Sequence, residues 1–149
     1  MTLPERFNVV VLGLGRIACE VARTVQQAGF SVKAWDFKPK TAENIDTYHG
    51  TEALPALLKP VDVVICCLAL NSRSEQLIDA AFLKLMPRKS HLVNISRGAV
   101  VDEHALLQAL DKLQISSATL DVFSVEPLPK ESRLWRCTRT NWFGIAYCT

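Results

Sequence analysis

Gly13, Gly15 and Ala18 fall in the spacing G-x-G-x-x-A within Gly13-Leu-Gly15-Arg-Ile-Ala18, a pattern that can hold a diphosphate with little help from charged side chains. Gly13 permits a tight turn, Gly15 lets the backbone approach a pyrophosphate, and the small Ala18 lets a helix lie close against a strand. Arg16 and Ile17 occupy the start of that helix and are counted with the two glycines as cofactor-binding residues. Free N–H groups at a helix N-terminus carry roughly half a positive charge, which suits an anion. Asp36 follows 18 residues after Ala18. A carboxylate there accepts hydrogen bonds from adenosine ribose hydroxyls and repels a 2'-phosphate, which favours NAD over NADP, while Lys38 and Lys40 soften the preference. The same letters also occur as a ligand-free tight turn, and Asp36 alone also reads as a solvated strand-end acid. A strand before, a helix after and an acid in place are what favour the dinucleotide.

The elements that must position these residues alternate along the chain. Asn8–Leu12 is a short, β-branched apolar run that reads as a strand buried on both faces. Ile17, Val21, Val25 and Ala28 recur at near-helical spacing, with Gly29 placed to end the helix. Residues 30–35 read as a second strand closed by Asp36, residues 38–49 as mostly loop, and 51–58 as a short helix. Further strands are expected over 61–67, 91–95 and 116–123. Ser72 with Glu75 matches an S-x-x-E capping box for a helix carrying Leu77, Ile78, Ala81, Phe82 and Leu85 and ending at Pro87. Asp102 can cap another, with Ala105, Leu106, Ala109, Leu110 and Leu113 on its apolar face. This alternation predicts an α/β domain of the Rossmann type, a doubly wound parallel sheet with helices on both faces.

Composition narrows the remaining classes. The 149 residues hold 17 basic and 15 acidic side chains, 49% hydrophobic residues, 6 glycines and 7 prolines, a globular balance with no basic stripe for nucleic acid. The longest apolar run, residues 63–70, is far short of the roughly 18 residues of a membrane span, and no signal peptide is evident, so a cytoplasmic protein is expected. Five cysteines, two of them adjacent at 66 and 67, do not form a disulfide framework, and His49, His91 and His104 have no metal-ligand spacing.

The stretch Asn94-Ile-Ser-Arg97-Gly98-Ala-Val-Val101-Asp102-Glu-His-Ala105-Leu106, followed by Leu120-Asp121-Val122-Phe123 and Glu126-Pro127, resembles the signature of the D-2-hydroxyacid dehydrogenases. Glu126-Pro-Leu-Pro with Leu134-Trp135 behind it is most similar to their glyoxylate and hydroxypyruvate reductase branch. The resemblance covers about residues 4–137 and implies roles. Arg97 would bind the carboxylate of a 2-keto acid, Asp121 would contact the nicotinamide carboxamide, Glu126 would orient a proton-donating histidine, and Asn71 would lie along the cofactor. A planar guanidinium grips a carboxylate through two parallel hydrogen bonds, and Gly98 beside it is expected to leave space for substrate. Arg97 also reads as a surface arginine paired with Asp102 or Glu103, and Glu126 as a solvated loop acid. A carboxylate near the end of an apolar strand, as at Asp121, needs a partner or a ligand. The resemblance further implies a homo-oligomer, a dimer through the nucleotide domain.

Two departures bear on activity. The family continues into a segment resembling P-N-V-x-x-T-P-H, whose histidine is the general acid. Here residues 138–149 form a divergent tail with no histidine after His104, which suggests a frameshift, an altered splice or a truncated gene. The substrate-binding half of the family is also expected to be absent, leaving an NAD-binding domain over 1–137. Loss of a positioned acid typically costs about 10² to 10⁴ in rate, so the chain alone is expected to turn over little. An NAD(H)-sensing pseudoenzyme and a non-functional gene remnant stand as alternatives.

Overall fold

β-Branched runs separated by helices bury best as parallel strands covered on both faces. In the computed structural model, which describes residues 7–137, they do so. Strands β1 (Asn8–Leu12), β2 (Ser31–Asp36), β3 (Asp46–His49), β4 (Val63–Cys66), β5 (His91–Asn94) and β6 (Ser117–Leu120) form one sheet in the order β3-β2-β1-β4-β5-β6. Every neighbouring pair is parallel. Leu12 stands opposite Trp35 on one side and Cys66 on the other, so the carboxyl ends of β2, β1 and β4 lie level. The chain winds outward from β1 through β2 to β3, then crosses to β4 and winds the other way. Connections therefore diverge between β1 and β4 and leave a crevice beyond the strand ends.

Helix α1 (Arg16–Gln27) joins β1 to β2, α2 (Leu54–Leu58) leads into β4, α3 (Ala80–Leu85) into β5, and α4 (Glu103–Asp111) into β6. Strand alternation divides the core. Val9, Val11, Val32 and Ala34 meet Ala18 and Ala22 of α1 on one face. Val10, Leu12, Trp35, Val64 and Leu92 meet Leu57, Leu58, Phe82, Leu83 and Leu106 of the other helices on the opposite face. Each fully buried aliphatic side chain contributes roughly 1.5–3 kcal/mol. Trp35, the largest of the fully buried side chains, also satisfies its indole N–H by donating to the Gly50 carbonyl at 2.8 Å. The expected doubly wound sheet with helices on both faces is the observed architecture.

Three local features differ from the sequence reading. Residues 46–49, expected as loop, form the edge strand β3. It pairs only with β2 and is largely exposed, so it needs no apolar run. The Ser72–Glu75 capping box does not form. Helix α3 starts at Ala80 and is capped by Asp79, whose Oδ1 accepts the Phe82 N–H at 2.9 Å. Ser74 instead is buried in a turn, its hydroxyl donating to the Ala69 carbonyl at 2.6 Å and accepting the Asn71 N–H at 2.9 Å. Ile78, fully buried, makes an isolated parallel bridge to Val101. Its spacing from Phe82 and Leu85 imitates a helix that has not yet begun. Beyond β6, a short 3-10 turn over Arg133–Arg136 buries Leu134. Asp102 caps α4 as expected, accepting the Ala105 N–H at 3.1 Å. Among the described residues no helix is long and apolar enough to cross a membrane.

Candidate functional site: a crevice at the strand ends

The turn after β1 is built from residues that could not be exchanged freely. Gly13 has φ +114°, and a Cβ there would lie 3.0 Å from the Cys67 carbonyl oxygen and 3.4 Å from the Ala18 Cβ. Both the backbone conformation and the close approach of helix to sheet therefore require glycine. Gly15 is different. As the N-cap of α1 it has an ordinary φ of −77°, and a Cβ on it would meet, beyond its chain neighbours, no atom of the described residues within 4 Å. What Gly15 keeps open is space in front of the helix. No side chain caps α1, and its first turn holds no acid. Its N–H groups thus face open space with the field that favours an anion.

That space belongs to a crevice of about 720 Å³ lined by Gly13, Gly15, Arg16, Ile17, Asp36, Asn71 and Arg97, within the roughly 300–1,000 Å³ usual for small-molecule sites. Its wall also includes Phe37 and Lys40 after β2, Cys67 to Leu70 after β4, and Ile95 and Ser96 after β5, none of which the glycine motif identifies. The signal for them was positional, since every one follows the carboxyl end of a strand. Asp121 and Glu126 are not part of this lining. Asp121 directly follows β6 on the same edge of the sheet, its N–H donating to the Asn94 carbonyl at 3.0 Å.

The polar groups have definite partners. Asp36, whose side chain is 13% exposed, accepts the Leu14 N–H at 3.1 Å and the Lys40 ammonium at 2.9 Å on Oδ2, and the Phe37 N–H at 2.7 Å on Oδ1. Asn71 turns its Oδ1 inward to accept the Arg73 and Ser74 N–H groups at 2.9 and 3.1 Å, so it shapes the loop that walls the crevice. Arg97 is exposed, its guanidinium donating to the Ser96 carbonyl at 3.1 Å. It forms no ion pair with Asp102 or Glu103. Asp102 caps α4, and Glu103 accepts the Ser124 N–H at 2.6 Å. Glu126 is exposed and accepts the Phe123 N–H at 3.0 Å, closing the turn after β6. Asp121 Oδ1 is buried without a hydrogen-bond partner among the described residues, the kind of atom that costs stability until something donates to it.

Gly98 corrects an expectation. A Cβ there would run into the backbone of Phe123 and Ser124, so this glycine lets the β5 loop cross the β6 loop and does not make room for substrate. Cys67 lines the crevice as a protonated thiol, its pKa pushed up to about 12 by burial and the neighbouring Cys66. None of the three histidines lines it. His49 lies on β3, His104 on α4 beside Gln108, and His91 on β5, bracketed by the Ser117 and Thr119 hydroxyls. Among the described residues no group of three or more His, Cys, Asp or Glu side chains could hold a metal ion.

The residues fit a dinucleotide's diphosphate at Gly13–Ala18, where Gly15 leaves a cradle that a Cβ would partly fill. Residues 3–142 match the family described as D-isomer specific 2-hydroxyacid dehydrogenase, NAD binding domain, a match running past Cys137, where the sequence reading places the end of the domain. The expected divergent tail, 138–149, lies outside the described residues. Glyoxylate/hydroxypyruvate reductase A of Salmonella paratyphi B is 37% identical over 135 residues, covering 91% of this chain and 43% of the relative. A D-isomer specific 2-hydroxyacid dehydrogenase from Xanthobacter autotrophicus Py2, solved with NADPH and MES, is 40% identical with a TM-score of 0.84, over 91% of this chain and 44% of that one. The NADPH-dependent glyoxylate/hydroxypyruvate reductase of Sinorhizobium meliloti, in apo form, is 30% identical with a TM-score of 0.84, over 91% of this chain and 55% of that one. The chain thus spans less than half the length of the curated relatives it matches. It belongs to the D-isomer specific 2-hydroxyacid dehydrogenase family and corresponds to that family's NAD binding domain.

Proposed function

We propose that this chain binds a nicotinamide dinucleotide in the crevice and is the coenzyme-holding part of an oxidoreductase that interconverts small 2-keto and 2-hydroxy acids such as glyoxylate or hydroxypyruvate. The observation that carries the proposal is the open space at Gly15, before the uncapped N-terminus of α1 and at the switch point between β1 and β4. When bound, the coenzyme supplies or accepts a hydride. Gly13, Gly15, Arg16 and Ile17 hold the diphosphate, Asp36 and the loop shaped by Asn71 flank the adenosine end, and Asp121 receives the carboxamide. Arg97, free to leave the Ser96 carbonyl, orients the keto acid through its carboxylate. Relatives solved with NADPH support including NADP(H) among the coenzymes.

A second reading is favoured by the proton side of the site. No histidine lines the crevice, and Glu126 is engaged by Phe123 N–H. The chain then binds coenzyme but turns it over slowly, as a binding module. Calorimetric titration with NADH and NADPH tests the first half, with Gly15→Val as the blocked control. Oxidation of NADH with glyoxylate or hydroxypyruvate, followed at 340 nm with and without Arg97→Ala, separates enzyme from module. A cytoplasmic location and self-association through the nucleotide domain belong to the same proposal. Sedimentation independent of concentration, as a monomer, would count against the latter.

A further inference from the structure

We propose that Asn94, which lies outside the lining of the crevice, is a positioning residue for Arg97: its buried amide fixes the main chain of Ser96 and Arg97, so that the guanidinium stands ready for the carboxylate of a 2-keto acid. The inference rests on the substrate-anchoring role proposed for Arg97 and deepens it.

Asn94 is the last residue of β5, opposite Cys66 of β4 and Leu120 of β6. Strand alternation points its side chain the same way as that of Leu92, into the core that meets α2, α3 and α4, and it is fully buried there. Packing alone would place an aliphatic side chain at such a position. An amide there is costly unless hydrogen bonds replace those lost to water.

The replacing bonds go to the two residues that lead out of the strand. Oδ1 accepts the Ser96 N–H at 3.1 Å and the Ser96 hydroxyl at 2.9 Å, and Nδ2 donates to the Arg97 carbonyl at 3.1 Å. Ser96 Oγ, its proton given to Asn94, can accept the thiol proton of Cys66, 3.4 Å away. The Arg97 carbonyl also accepts the Val100 N–H at 3.2 Å, so the main chain of Arg97 is held from both sides. Its head is not. Among the described residues the guanidinium donates only to the neighbouring Ser96 carbonyl and forms no ion pair. A pinned backbone with a free fork is what a preorganised carboxylate anchor requires. The main chain of Asn94 serves the next strand instead, its carbonyl accepting the Asp121 N–H at 3.0 Å, a bond that a change of side chain leaves in place.

Oxamate carries the carboxylate and adjoining carbonyl of a 2-keto acid and takes no hydride. Its titration into the NADH-saturated chain tests the proposal on the wild type, Arg97→Ala, Asn94→Leu and the Asn94→Leu/Arg97→Ala double variant, with NADH affinity measured on each. Arg97→Ala is expected to weaken oxamate roughly tenfold or more, through loss of a charge-assisted fork. Asn94→Leu, similar in volume, should also weaken oxamate about tenfold while NADH affinity stays within about twofold. Added to Arg97→Ala it should cost no more than about twofold further, because the guanidinium it positions is gone. A residue that only supports the fold would weaken both ligands in Asn94→Leu, or add its loss in full to that of Arg97→Ala, and either result overturns the positioning role. Full oxamate affinity in Asn94→Leu overturns it too. If circular dichroism finds Asn94→Leu unfolded, Asn94→Asp carries the same test, since it keeps the acceptor for Ser96 and drops the donor to the Arg97 carbonyl. Unchanged oxamate affinity in Arg97→Ala, or a wild type that binds NADH but no oxamate, refutes the reading of Arg97 itself, a failure distinct from one confined to Asn94.

Discussion

Asp36 Oδ2 accepts the main-chain N–H of Leu14 at 3.1 Å, so the acid at the end of β2 holds the glycine turn that follows β1. The residue that reads as a ligand contact is therefore also part of the frame. Asp36→Ala is expected to destabilise the domain by about 1.5–3 kcal/mol, because it strips an acceptor from a buried N–H. Asp36→Asn, which keeps one carbonyl oxygen, should lose less. Urea unfolding measures both, and a loss under about 0.5 kcal/mol for the alanine variant would exclude the framing role.

Gly15 and Gly98 separate binding from folding. Gly15→Ala places a methyl where no atom beyond its chain neighbours lies within 4 Å and φ is ordinary, and the entropic gain is offset by alanine's poor fit at an N-cap, so stability should change by less than about 1 kcal/mol. Coenzyme affinity should nonetheless fall, since the methyl enters the diphosphate cradle. Gly98→Ala drives a methyl into the Phe123 and Ser124 backbone and should cost about 1–3 kcal/mol or more. Thermal melts read beside coenzyme titrations distinguish the two. Equal destabilisation by both substitutions would refute the assignment of open space at Gly15.

These two glycines also mark how far the sequence could be read. Gly15 was legible because strand, turn and helix are contiguous and the motif's meaning is local. Gly98 was not, because its constraint comes from a chain crossing more than twenty residues away. The same division runs through the fold. The strands β1, β2, β4, β5 and β6 announce themselves as apolar runs, since each has neighbours on both sides or lies under helices. β3 hides as Asp46-Thr-Tyr-His49 because an exposed edge strand buries little. The sequence puts the start of helix α3 too early because the extended Ile78 sits at helical spacing from residues that follow Asp79. Among the residues lining the crevice, Arg97 is singled out by motif and Asn71 by its position in the family resemblance, but Lys40 pairing with Asp36 depends on how the loop after β2 folds back.

His91 makes stability depend on pH. Burial disfavours the imidazolium and lowers its pKa below the ordinary 6.5. The Ser117 and Thr119 hydroxyls at 2.5 and 2.9 Å bracket a neutral ring without supplying a counter-charge. In the unfolded chain the ring takes up a proton near pH 6.5, while in the folded domain it does so only at lower pH. The contribution is therefore complete above pH 6.5 and is lost as pH falls through that value toward the depressed folded pKa. Unfolding free energies of the wild type and His91→Gln, measured from pH 8 to pH 5, should diverge in slope below about pH 6.5, the variant being flatter. Parallel slopes would mean the ring is not desolvated in the folded domain.

Asp121 Oδ1 is buried with no donor among the described residues, at the edge of the sheet formed by the carboxyl ends of the strands. A buried charged oxygen left unsatisfied costs about 1–3 kcal/mol or more, so Asp121→Asn, which removes the charge at nearly constant shape, should stabilise the free chain. If the oxygen is reserved for the carboxamide N–H of the coenzyme, the same substitution should weaken binding of NADH and NADPH several-fold. ADP-ribose, which has no carboxamide, should bind as before. Stabilisation with equal loss for all three ligands would place Asp121 in the general support of the crevice. Stabilisation with no loss for any of them would leave its buried oxygen as an unrelieved cost of the fold, and the carboxamide contact would have to be sought among the residues that line the crevice itself.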